Sequence, residues 1–429
     1  LLQVNAAQIK NFRGLFPALS RGIGGRAIAY FDGPGGYQTP RSVIAAMNDY
    51  MVQANANYCD QFEAGVRTIE TISTAREAFA DLFVCGADEV VFGANMTTLN
   101  FMLAQALVKK WSAGDRVLIT EIDHEANRGP WLGLRERGIE VDDAVLDTET
   151  RTLDRADLEA KLARRPRLAA VNWASNGLGT ISDVKTIVDS AKEVGALTVI
   201  DAVHYAAHGP INVRDLGVDF LLCSAYKFFG PHIGVMYARR EAMEKLEPLN
   251  LRTQKQHAPF KFETGTLNHE GIAGAAAAVN FMADAGSTLG GAEAGASRRQ
   301  RLVAALDTFD HYEMGLTNYL LLRLAEKVPQ ARVYGPPEGH PRTSTVSFTY
   351  GDLNAADVAA YLGGLGIFVY GGHFYAIRLV ERLGLADRGG LVRVGISPYN
   401  TREEVDRLVA ALEDESAVTA FARKRAENG

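Results

Sequence analysis

Between residues 89 and 239 the chain alternates between two spacings of apolar residues. Six short runs with few polar interruptions read as buried strands: "EVVFGA" (89–94), "RVLIT" (116–120), "RLAAVNWA" (167–174), "ALTVID" (196–201), "DFLLCSA" (219–225) and "GVMYAR" (234–239). Stretches such as "TTLNFMLAQALVKKW" (97–111) and "DVKTIVDSAKEVG" (183–195) space their apolar residues as helices do, and the second closes on the helix stop Gly195. Strands alternating with helices predict an α/β unit: a mostly parallel sheet with helices on both faces. The small-residue stretch "GSTLGGAEAGAS" (286–297) reads as a domain boundary. After it come "TSTVSFTY" (343–350), the helix "NAADVAAYLGGLG" (354–366), "IFVYG" (367–371), "LVRVGIS" (391–397) and a last helix from about Thr401, an α+β pattern. The expectation is a large domain over 18–285 and a smaller one over 286–429, the latter joined by residues 1–17.

Composition narrows the function classes. The 429 residues are 47% hydrophobic and 22% charged, an ordinary globular balance with length enough for two domains. A net charge of −6, with no basic blocks interleaved with aromatics, argues against a nucleic-acid partner. Three cysteines, Cys59, Cys85 and Cys223, form no CxxC, so neither a disulfide framework nor a structural zinc is expected, and a reducing cytoplasm fits. The start "LLQVNAAQIKNFRGLF" lacks a sustained apolar core, so no signal peptide or membrane span is expected there, and its missing Met suggests a few trimmed residues.

In an open parallel sheet, ligands bind beyond the carboxyl ends of the strands. The residues following the predicted strands are Asn95 and Thr97, His124, Ser175 and Asn176, Asp201 and His204, then Ser224, Tyr226 and Lys227. Lys227 is the odd member. In "DFLLCSAYKFFGPHIGVMY" (219–237) it lies between two runs that read as buried, where lysine is rare unless paired or chemically occupied. Desolvation lowers a lysine pKa, which suits an imine-forming amine. An aldehyde cofactor with a phosphate and a pyridine ring would use this whole set. Lys227 would hold it as a Schiff base, and Asp201 would keep the ring nitrogen protonated so the ring can accept electrons. The helix start in "GANMTTLN" (93–100), with Asn95, Met96 and Thr97, would take the phosphate. Ser224 and Tyr226 would add hydroxyls to it, and His124 would lie over the ring.

Each residue alone has a plainer reading: a snorkelling surface lysine, a helix-capping aspartate, a turn asparagine at Asn176, an ion-paired Arg393. Order along the chain favours the joint reading. "YFDGPGGYQTP" (30–40), "GANMTTLN", "EIDHEANRGPW" (121–131), "NWASNGLGT" (172–180), "IDAVHYAAH" (200–208), "SAYKFFGP" (224–231), "FETGT" (262–266) and "RVGISPYNT" (393–401) follow one another over nearly the whole chain. Together they resemble pyridoxal-phosphate (PLP) enzymes of fold type I, in the class V aminotransferase group and most like its cysteine-desulfurase branch. The resemblance implies a large domain with a seven-stranded type of sheet, Lys227 carrying PLP, Asp201 on the pyridine nitrogen, His204 at the ring hydroxyl and His124 stacked on the ring. It also implies that Thr266 reaches the phosphate of a neighbouring subunit in a homodimer with composite active sites, and that Arg393 grips the carboxylate of an amino-acid substrate.

The resemblance breaks in "VYGGHFYAIRLVERLG" (369–384), where Tyr375, close to His373, stands at the position of the branch's loop cysteine. Tyr226 stands where the family usually has histidine. The expected chemistry is a Cα carbanion formed from a Schiff base. Its favoured outcome is β-elimination or carbon–sulfur cleavage, with transamination and epimerisation left open. A rival from another class is a metal-dependent hydrolase using Asp201, His204 and His208. "HYAAH" lacks the adjacent glutamate such a site needs, and the rival leaves Lys227 unexplained.

Overall fold

The computed structural model describes residues 4–427; the first three residues of the amino-terminal stretch lie outside them. All six apolar runs become strands of one sheet, joined by a seventh that their pattern did not announce. In chain order these are β1 (Val90–Gly93), β2 (Arg116–Thr120), β3 (Glu140–Ala144), β4 (Leu168–Asn172), β5 (Leu197–Asp201), β6 (Phe220–Ser224) and β7 (Gly234–Ala238). Their order across the sheet is β1-β7-β6-β5-β4-β2-β3. β2 to β6 run parallel to their neighbours among one another, and β7 is antiparallel to both β6 and β1. β3, "EVDDA", is an edge strand whose acids pair outward, Asp142 with Arg164 at 3.0 Å and Arg116 with Glu140. Unlike β1 at the opposite edge, it is part-exposed along most of its length, so no apolar run marks it.

Side chains alternate between the two faces of this sheet. Leu221, Cys223 and Val235 pack with Phe79, Phe83 and Val279 in one core, while Phe220, Leu222 and Met236 pack with Leu103 and Trp131 in another. Three long helices, Glu63–Phe83, His269–Thr288 and Arg298–Lys327, cover the first face. Met96–Val108 and Glu125–Leu132 cover the second.

The carboxy-terminal part carries a four-stranded antiparallel sheet in the order Ala331–Tyr334, Thr345–Tyr350, Leu391–Gly395, Tyr370–Gly372. "IFVYG" is not one strand. Ile367–Phe368 pairs in parallel with Ala29–Tyr30, and only Tyr370–Gly372 joins the four-stranded sheet. That split ties the amino-terminal motif "YFDGPGG" to the carboxy-terminal sheet, and Asp32 bridges to Gly395. The last predicted helix is Arg402–Glu413, capped by Thr401 with a capping box from Glu404. Near the amino terminus Phe12 and Phe16 pack on Phe229 and Phe281, while Arg13 pairs with Glu404 at 2.7 Å. None of the described helices is long and apolar enough to cross a membrane.

Candidate active site

Register sets the site. Asn172 on β4 sits beside Asp201 on β5, which sits beside Leu222 on β6, so three parallel strands end level with one another. Just past those ends lie His204, Ser224, Tyr226 and Lys227, and opposite them the start of helix Met96–Val108. Gly234 on β7 lets that helix start approach: a Cβ there would collide with the Asn95 backbone. Asn95, Met96, Thr97, His124, Asn176, Asp201, His204, Ser224, Tyr226 and Lys227 therefore line one inner chamber. It opens into an outer cavity of about 560 Å³ reached by Arg393 and Tyr375.

Lys227 closes the short 3₁₀ turn Ala225–Lys227 that follows β6. Its Nζ donates to the Pro34 carbonyl and lies 4.8 Å from the centre of the Tyr226 ring. Protein atoms surround the amine on most sides although the cavity leaves it some access to solvent. Burial, helped by the Arg393 charge and opposed by Asp32 and Asp201, brings its pKa down to about 7. Asp201 is buried and accepts from the Val203 N–H at 2.9 Å. Burial first, then the Asp123 charge, pushes its carboxyl up to about 7, against the Val203 bond and Lys227. A cation placed against this carboxylate would reverse that shift.

His124 caps helix Glu125–Leu132, its Nδ1 accepting from the Ala126 N–H at 2.9 Å, which leaves the proton on Nε2. Burial and the cations of Lys227 and Arg393 lower its pKa to about 4, so the ring is neutral near pH 7. Tyr375 stacks on His124, ring centres 5.5 Å apart, and the Tyr375 carbonyl accepts from the Glu125 N–H at 2.7 Å. His204 is buried, with Nε2 3.1 and 3.0 Å from the hydroxyls of Thr343 and Thr345, and burial pushes its pKa well down. His208 turns away to Glu313 at 3.0 Å. Asp201, His204 and His208 thus have separate partners, and among the described residues no group of three acids, histidines or cysteines could hold a metal ion.

At the helix start the Asn95 side chain accepts from the Thr98 N–H at 2.8 Å, and the Met96 N–H donates to Ser224 Oγ at 3.1 Å. Ser224 accepts there, which leaves its hydroxyl proton for a ligand. The Met96 side chain is buried in the core, so only its backbone can serve the chamber. Tyr226 stacks on His232, 4.8 Å between ring centres, a partner that sequence reasoning missed.

Arg393 is buried on strand Leu391–Gly395. It pairs with Asp32 at 2.7 Å and donates to the Asn176 carbonyl at 3.1 Å, while its Nε has no partner. Asp32 is the second residue that sequence reasoning missed; the signal was a lone acid directly after the apolar "YF" in "YFDGPGG". Tyr375 is 62% exposed at the cavity mouth, and its N–H donates to His373 Nδ1 at 3.0 Å. His373 is exposed and lines neither chamber nor cavity. Thr266 is exposed too, beside a separate cavity with Tyr58 and Lys255. No cysteine lines the chamber or the outer cavity: Cys59 packs at the start of helix Glu63–Phe83, Cys85 has its thiol pushed up to about 12 by burial, and Cys223 lies in the core.

The donor set fits pyridoxal phosphate. A low-pKa amine, a buried carboxylate, a neutral imidazole and an open helix start surround one chamber. The buried Asn172 Oδ1 and Asn176 Oδ1 within it have no protein partner, as expected where a polar ligand completes the set.

Residues 29–408 match the family model "Aminotransferase class-V". A cysteine desulfurase of Pectobacterium carotovorum is 33% identical, the match covering 94% of this chain and 97% of the relative. One of Yersinia pestis is 30% identical over the same shares. Among solved structures, a cysteine desulfurase from Thermococcus onnurineus NA1 superposes with a TM-score of 0.84 at 27% identity, covering 96% of this chain and 98% of that one. A cysteine desulfurase from Escherichia coli gives 0.81 at 26%, covering 98% and 100%. The chain belongs to the class-V aminotransferase family of PLP-dependent enzymes.

Proposed function

We propose that this protein breaks the Cβ–S bond of a carboxylate-bearing amino acid by β-elimination, with no thiol relay. The observation that carries this reading is the outer cavity itself, where Lys227 and Arg393 face a loop that presents Tyr375 and no cysteine. Bound PLP supplies an electron sink for the pair left at Cα. In this reading Lys227 holds the cofactor and then, as a neutral amine, takes the Cα proton at Nζ. Asp201 would serve the pyridine nitrogen, His204 the ring hydroxyl, and His124 the ring face. Asn95, Met96, Thr97, Asn176, Ser224 and Tyr226 surround the phosphate and ring edge. Tyr375, at the cavity mouth, donates a proton to the departing sulfur or closes the mouth; His373, which lines neither cavity, is left without the substrate role its place in the sequence suggested. β-Chloro-L-alanine should then yield pyruvate and ammonia. Keto acid formed from L-alanine, with no pyruvate from β-chloro-L-alanine, would point to transamination instead.

Arg393 is assigned to the substrate carboxylate. A guanidinium has five donors, and the bonds to Asp32 and Asn176 leave Nε and others for a second anion. Arg393→Lys loses the planar fork and should weaken binding of the substrate by on the order of 1.5–3 kcal/mol, the scale of a charge-assisted hydrogen bond. Titration with the substrate and with the corresponding amine lacking the carboxylate checks this. Equal affinities for the two in the wild type would remove the role.

The two-domain division belongs to the same reading, with residues 18–285 supplying the chamber and the carboxy-terminal part Arg393 and the Tyr375 loop; the boundary expected at 286 falls inside helix His269–Thr288, and Phe12 and Phe16 of residues 1–17 pack in the large-sheet core. We assign the protein to the cytoplasm as a homodimer in which Thr266 reaches the partner's phosphate. Its exposure outside this chain's own chamber supports that. Sedimentation should give a dimer, and Thr266→Ala should lower phosphate-cofactor retention. An active monomer would contradict the composite site.

A further inference from the structure

We propose that the sulfur of the substrate carries an aromatic or similarly bulky apolar group, so that the protein acts on cysteine S-conjugates. This rests on the elimination reading above. The outer cavity, about 560 Å³, lies within the roughly 300–1,000 Å³ that encloses drug-sized ligands. It shares Thr97, His124, Asn176, Tyr226 and Lys227 with the inner chamber, so bound cofactor would fill its inner part and leave the outer part to the substrate. Its outer wall is formed by Phe101, Tyr370, Phe374 and Tyr375, from a helix of the large sheet's cover, a strand of the small sheet and the loop after it. Phe101, Tyr370 and Tyr375 are 45%, 47% and 62% exposed. Large apolar side chains scattered singly need no explanation, but a cluster at a cavity mouth marks a binding surface.

Two further observations join this wall to the reacting centre. The Arg393 guanidinium lies 4.4 Å from the centre of the Phe374 ring and 5.8 Å from that of Tyr370, so the carboxylate grip borders the aromatic wall. Phe374 and Tyr375 both adopt left-handed backbone, φ 55° and 57°, costly for two successive bulky residues. Backbone strain of this kind persists where the surroundings hold it, and here it presents both rings to the cavity. With the carboxylate on Arg393, Cα at Lys227 and the cofactor held by the residues that chamber and cavity share, the β-substituent would be left the aromatic wall.

The overall change is R–S–CH₂–CH(NH₃⁺)–COO⁻ plus water giving R–SH, pyruvate and ammonium. The Cα–H and Cβ–S bonds break, and the Cα–H electrons form the Cα=Cβ bond. Sulfur leaves with the Cβ–S pair and gains a proton, and water releases ammonia from the resulting enamine. No net oxidation occurs.

Pyruvate release by the holoenzyme is measured with S-benzyl-L-cysteine, S-methyl-L-cysteine and β-chloro-L-alanine. The expected kcat/KM for the benzyl conjugate is at least tenfold above that for the methyl conjugate. Phe101→Asp and Tyr370→Ser should each cut that ratio at least fivefold. Calorimetry with the unreactive 3-(benzylthio)propanoate and 3-(methylthio)propanoate should show the same preference in Kd, lost in those variants. Equal kcat/KM for the two conjugates, or a benzyl preference that both variants leave intact, overturns the inference. Absence of pyruvate from all three compounds overturns the elimination reading instead.

Discussion

Lys227→Ala should lose turnover by roughly 10²–10⁴-fold or more, the range a positioned acid–base group contributes, and should lose the yellow absorbance of lysine-bound cofactor. In the wild type, borohydride reduction followed by peptide mapping should fix the cofactor on Lys227, and a label on another lysine would contradict the assignment. The same amine sets a pH dependence. Its pKa is brought down from 10.5 to about 7 by burial and by Arg393, so the neutral, proton-accepting form is present above pH 7 and is lost as the pH falls through 7. Reductive methylation of the cofactor-free protein with formaldehyde should therefore modify Lys227 with a midpoint near 7, well below that of exposed lysines. A midpoint near 10 would mean that the amine is solvated as on a surface.

Asp201→Asn should keep cofactor yet lose turnover by on the order of 10²-fold or more, the scale of removing one preorganised electrostatic partner. Burial pushes the carboxyl up to about 7, with its one Val203 hydrogen bond and Lys227 opposing the shift. It gains most from a cation that shares its desolvated site. A protonated pyridine nitrogen is such a cation, and an amide cannot hold the proton there by charge. Cofactor content after alkaline release, compared with the rate of pyruvate formation, separates the two effects. Undiminished turnover in the variant would remove the electron-sink role.

The parts of this fold that were legible in the sequence are those that physics makes redundant. Strands buried on both faces must be apolar throughout, so β1, β2 and β4 to β7 stand out. β3 is only part-buried along most of its length and carries Asp142 and Asp143, whereas β1 at the opposite edge is buried. "IFVYG" looks continuous because both of its halves are extended, and nothing local shows that they pair with different sheets. In the site, Asp201 and Lys227 were visible because each ends an apolar run with a group too costly to bury without a purpose. Asp32 on Arg393, Tyr375 on His124 and the two threonines on His204 depend on long-range folding that brings distant segments together. No spacing rule encodes them. That the loop "VYGGHFYAIRLVERLG" carries no cysteine is plain in the sequence; that Cys59 lines neither cavity needed the structure.

The most direct test of the central claim is the fate of the three-carbon fragment and the sulfur when the holoenzyme turns over L-cysteine, followed with alkylation of protein persulfide and mass mapping of Cys59, Cys85 and Cys223. Elimination without a thiol relay predicts pyruvate, ammonia and free sulfide in equal amounts, with no persulfide on any cysteine. Alanine as the product, with a persulfide on Cys59 that vanishes in Cys59→Ala, would contradict the account and put a relocated thiol at the centre of the chemistry.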